Sequence, residues 1–120
     1  MTSTLKRKRW PYYLANRPVQ ANAALDVHDK FSGARVARCA FADARAIDQA
    51  IAAAHAARGP MAAFPPDARR AVLEHCVARF QARSEELALA LCIEAGKPIR
   101  DARGEVARLV DTFRIAADES

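Results

Sequence analysis

A short antiparallel β meander followed by about four helices, an α+β arrangement that is mainly helical, is the fold predicted by three features of this sequence. Strand-like segments punctuated by Asn, Pro and Gly occupy its first part. From Asp43 onward the apolar period changes from two to about 3.6 residues. No helix returns to a Val/Ile-rich strand of the kind buried in parallel sheets, so no βαβ unit is expected.

The expected strands are Tyr12 to Leu14, Leu25 to His28 and Arg35 to Phe41, with Ser32-Gly33 as the turn before the third. In that third segment Val36, Ala37, Arg38, Cys39, Ala40 and Phe41 only partly alternate, which suits one buried face.

Asp43 is placed to cap the first helix, whose Ile47 and Ile51 lie one turn apart, and Gly59-Pro60 is the expected stop. Pro65 and Pro66 give a rigid start to the second, with Val72, Leu73, Cys76, Val77 and Phe80 as its core stripe. Ser84 before Glu85 and Glu86 has the chemistry of a third helix start, and Gly96 that of its end. Pro98 opens the fourth, in which Ile99, Ala102, Val106, Leu109, Val110, Phe113 and Ala117 repeat at helical spacing. Arg100, Asp101, Arg103, Arg108, Asp111 and Arg114 form its opposite side. These stripes have only a thin meander to pack against, so part of their core is expected outside this sequence.

Composition narrows the class. A chain of 120 residues with 52% hydrophobic and 28% charged residues is long enough for one globular core. No apolar run is long enough for a membrane span, and the start lacks a secretory signal, so a cytoplasmic protein without a membrane partner is expected. The net charge is +5, but Lys6, Arg7, Lys8 and Arg9 form one run. Residues 1–9 therefore read as a basic disordered tail rather than a nucleic-acid contact, and 10–120 as the folded part.

No catalytic, cofactor-binding or metal residue is assigned. Three well-separated cysteines without a C-x-x-C pair or a His at zinc spacing indicate neither a disulfide framework nor a metal site. Gly33, Gly59, Gly96 and Gly104 are too far apart to build a G-x-G-x-x-G or phosphate loop. Cys39, Cys76 and Cys92 are formal nucleophiles, yet Cys76 and Cys92 sit among apolar helical neighbours and read as packing residues. His75 adjoins Cys76, but neighbours on a helix point about 100° apart and form no dyad. His28 and His55 are without support as catalytic groups. Glu94 and Glu105 are the strongest acid/base candidates and read first as ion-pair partners of Lys97, Arg103 or Arg108.

Glu94-Ala95-Gly96-Lys97-Pro98, then Ala102-Arg103-Gly104-Glu105-Val106, then Asp111-Thr112-Phe113-Arg114-Ile115-Ala116-Ala117 resembles the aldehyde dehydrogenase superfamily in combination. Tyr12-Tyr13-Leu14, Asn16, Ser32-Gly33, Ile47 to Ala57, Arg69 and Ser84 to Leu87 fall upstream in the same order as in that family. The resemblance runs from Tyr12 to Glu119. Departures are Lys30-Phe31 before the Ser32-Gly33-Ala34 turn, and Ala68 in place of an acidic residue before Arg69.

The resemblance implies an α/β aldehyde dehydrogenase fold, of which 10–120 would be the amino-terminal part of the cofactor-binding domain. It implies an NAD- or NADP-dependent oxidation of an aldehyde to a carboxylic acid in a complete, usually homo-oligomeric enzyme. In that family a cysteine thiolate attacks the aldehyde, an amide side chain and a backbone N–H hold the oxyanion, and a glutamate activates water. Those residues lie downstream of the region matched, so the chain is expected to be an inactive fragment that binds no cofactor. The alternative is a stand-alone helical interaction module using the Arg-rich side of the fourth helix.

Overall fold

A computed structural model describes residues 8–21 and 23–120, which divide into one compact unit ending at Ala63 and another spanning Phe64–Ser120. Residues 1–7 of the expected basic tail lie outside the described residues. Of its last two members, Lys8 accepts a backbone hydrogen bond from Arg38 at 2.9 Å and Arg9 begins a strand.

The first unit holds five short strands and one helix. They are β1 (Arg9–Trp10), β2 (Tyr12–Leu14), β3 (Arg17–Val19), β4 (Ala24–His28), β5 (Arg35–Ala40) and α1 (Ala44–Ala62). The strands precede the helices as expected, but their pairing is richer than a single meander. β2 and β3 form a separate antiparallel hairpin, and the other sheet has the order β1-β5-β4 with β1 parallel to β5. β1, only two residues long, and β3, which contains Pro18, escape sequence reading.

The β2–β3 connection is only Ala15 and Asn16, both at positive φ (48° and 63°), since Leu14 pairs with Arg17. That geometry matches the right-handed twist of the flanking strands, and Asn adopts it more readily than Ala does. The β4–β5 turn is built by Asp29, whose Oδ1 accepts from the backbone N–H groups of Phe31 and Ser32 at 2.8 Å each. Gly33 takes φ 71° there, so the expected Ser32-Gly33 turn forms. Asp26 faces Arg38 across the strands and accepts a 2.7 Å bond from its Nε.

Asp43 caps α1 as expected, its carboxylate accepting from Ala46 N–H at 2.8 Å. We expect Asp43→Ala to cost about 1 kcal/mol, the usual loss for an emptied N-cap. Thermal melts checked by circular dichroism would show it, and Asp43→Asn should restore most of the loss. The expected stop at Gly59-Pro60 is corrected: α1 runs through both to Ala62. A proline disfavours helical geometry in the preceding residue largely by crowding its Cβ, and Gly59 has none. Pro60 gives up the N–H that would bond the Ala56 carbonyl, and the helix ends two residues later at Ala62.

The second unit contains α2 (Pro66–Ala82), α3 (Ser84–Ala95) and α4 (Ile99–Asp118). α2 and α3 are separated by Arg83 alone. Ser84 is therefore already helical, and the expected hydroxyl cap is corrected: Arg83 holds the cap position and makes no side-chain capping bond. Its guanidinium instead forks onto Glu86, at 3.1 and 2.7 Å. Gly96 ends α3 in the left-handed conformation, φ 70° and ψ 19°, and its N–H returns to the Cys92 carbonyl.

The core of this unit is made of small side chains. Ala88 on α3 and Ala102 on α4 are both 0% exposed and cluster with Val106, with Leu87 and Leu91 packed around them. α2 reaches α4 through Phe80 and Phe113, whose rings meet edge to face with centroids 4.9 Å apart. Arg70 on α2 also donates from Nε to the Ala117 carbonyl, in the last turn of α4, at 3.0 Å. Large apolar residues remain exposed, among them Ile47 and Ile51 on α1, Val72 on α2 and Ile115 on α4.

Candidate functional site

Of the two carboxylates picked out for acid/base chemistry, Glu105 forms the ion pairs with Lys97 and Arg108 that the sequence suggests, and Glu94 does not. Glu105 is gripped by two cations: Lys97 Nζ lies 2.5 Å from Oε1, and Arg108 bonds Oε2. The first contact ties the residue after the Gly96 cap to the second turn of α4, so Glu105 fastens the α3–α4 connection. Glu94 is exposed and makes no ion pair among the described residues. Arg103, a possible partner of either, binds Glu85 instead. Its Nε and Nη2 reach the two carboxylate oxygens at 2.9 and 3.0 Å. The residues are 18 apart in sequence, so no local spacing rule announces this pair.

Hydrogen bonds from Lys97 and then Arg108 hold the Glu105 carboxyl below the ordinary glutamate range, and Arg103 does the same for Glu85. A general acid or base working near neutrality needs a carboxyl pushed upward, so both shifts run the wrong way for that role. They have a consequence for stability. A carboxyl whose pKa is lowered by folding stabilises the fold above its unfolded pKa and loses that contribution as pH falls through the folded one. We therefore expect Glu105→Gln to melt below the parent at neutral pH, with the gap closing under about pH 4. A gap independent of pH would mean that the pairing with Lys97 and Arg108 contributes nothing.

Cys39 on β5, Cys76 on α2 and Cys92 on α3 are half-buried free thiols, and among the described residues none hydrogen-bonds to a base. His75 and His55 are exposed, and His28 Nδ1 lies 3.0 Å from the Gly33 carbonyl in its own hairpin. Among the described residues, no group of three His, Cys, Asp or Glu side chains could hold a metal ion, and no helix is long and apolar enough to cross a membrane.

A pyrophosphate would need a helix start with open N–H groups and no competing charge. Each of the four helix starts carries a carboxylate: Asp43 at α1, Asp67 at α2, Glu85 and Glu86 at α3, Asp101 at α4. Pro65 and Pro66 lack N–H groups at α2, and Pro98 lacks one before α4. Gly96 caps a helix end, while Gly59 and Gly104 lie inside helices. These residues do not fit a dinucleotide.

The second unit has one concavity to note, an open groove of about 360 Å³ where the α2–α3 junction meets α4. Val106 and Val110 line it with Gln81, Ser84, Glu85 and Arg103. Its charged lining residues are Glu85, Arg103 and Asp111, of which Glu85 pairs with Arg103 and Asp111 with Arg114 at 2.6 Å.

Residues 18–120 match the model of the aldehyde dehydrogenase family. The chain belongs to that family. It is 31% identical over 120 residues to 3-sulfolactaldehyde dehydrogenase of Priestia aryabhattai, covering 100% of this chain and 25% of the relative. Among solved structures, aldehyde dehydrogenase 21 of Physcomitrella patens in complex with the product succinate superimposes with a TM-score of 0.91 at 46% identity. That match covers 93% of this chain and 24% of the other. An NAD-dependent aldehyde dehydrogenase of Sinorhizobium meliloti superimposes with a TM-score of 0.86 at 31% identity, over 96% and 24%. The chain thus spans about a quarter of the length of the relatives it matches, corresponding to an amino-terminal portion of the aldehyde dehydrogenase fold. The stand-alone interaction module gains no support from a match this extensive to an enzyme family.

Proposed function

We propose that residues 10–120 are a scaffold portion of the cofactor-binding domain of an NAD(P)-dependent aldehyde dehydrogenase. The complete enzyme, cytoplasmic and homo-oligomeric, would convert an aldehyde, NAD(P)⁺ and water into a carboxylic acid, NAD(P)H and a proton. The family match over 18–120 carries this reading. NAD dependence is supported by the Sinorhizobium meliloti relative, whose name includes that cofactor.

Within that enzyme this portion takes no chemical step. Its thiols lack an activating base, Glu105 and Glu85 are neutralised by lysine and arginine, and its helix starts repel phosphate. It contributes packing surfaces for neighbouring elements instead.

The experiment is direct. The purified 120-residue chain, mixed with succinic semialdehyde and NAD⁺ or NADP⁺, should give no nicotinamide reduction above the protein-free rate, and calorimetry should detect no binding of either nucleotide. Measurable turnover would sink the proposal, and nucleotide binding alone would refute its account of the helix starts.

A further inference from the structure

No further inference is drawn: the strongest candidate, the open groove between the α2–α3 junction and α4, has its Glu85 and Arg103 paired with each other, and nothing in the structure shows what covers its apolar floor of Val106 and Val110.

Discussion

Ala102→Leu is expected to destabilise the helical unit by about 3 kcal/mol, the upper part of the usual range for overpacking. Ala102 and Ala88 have no exposed surface and belong to the same cluster with Val106, so there is no free space beside either methyl group where α3 packs on α4. A leucine adds three carbons where the neighbouring side chain has nowhere to retreat, and the helices must separate or the rotamer must strain. At about 0.05–0.15 kcal/mol per residue, a unit the length of Phe64–Ser120 holds only about 3–9 kcal/mol. The substitution therefore removes a third or more of its stability. In thermal unfolding, at about 4–8 °C per kcal/mol for a small domain, the melt should drop by more than ten degrees. Ala102→Ser, nearly equal in size, should fold and melt much closer to the parent. A leucine variant indistinguishable from the parent would overturn the close packing of α3 on α4.

Phe113→Ala should have the second largest effect, again about 3 kcal/mol. Phe-to-Ala changes in cores cost about 3–5 kcal/mol, and Phe113 belongs at the low end because it is half-buried. Its ring meets Phe80 at an interplanar angle of 80°, the edge-to-face arrangement the ring quadrupoles favour. The pair can be isolated by a double-mutant cycle with Phe80→Ala, whose coupling should be about 0.5–1.5 kcal/mol. Additive losses would show that the rings stabilise α2 and α4 by burial alone. The Arg70 bonds to the end of α4 lie a full turn away and should survive either change.

Both predictions concern packing, because packing is what these residues do. The buried side chains are Ala37, Ala46, Ala88, Ile93, Ala102, Val106, Val110 and Ala117, and no large side chain among the described residues is fully enclosed. The stripe Val72 to Phe80 on α2 reads in sequence as a core face, yet Val72 is half exposed and no α2 residue is fully buried. Its period was legible; the depth of its burial depends on neighbours. On α1 the same applies to Ile47 and Ile51, both more than half exposed.

The helix boundaries divide along similar lines. Asp43 and Gly96 act through their own side chain and their own φ, so a single residue suffices to reveal them. Ser84 does not cap α3 because a capping role depends on whether the residue's own backbone is already helical, which the one-residue break at Arg83 decides. Gly59-Pro60 does not stop α1 because glycine's missing Cβ relieves the crowding a proline imposes on the residue before it.

By itself the sequence determined the order of strands and helices, the Ser32-Gly33 turn, the Gly96 cap and, through Glu94 to Pro98 and Asp111 to Ala117, the family. These are local: each follows from periodicity, backbone freedom or a contiguous run of residue types. Only the tertiary structure decided that β1 runs parallel to β5, that Glu85 belongs to Arg103, that Lys97 and Arg108 share Glu105, and that Ala88 and Ala102 cluster where α3 packs on α4. Apart from the Arg108–Glu105 pair, a single helix turn apart, these contacts link residues distant in sequence. Charge and size alone leave each several eligible partners, and the fold selects one by geometry.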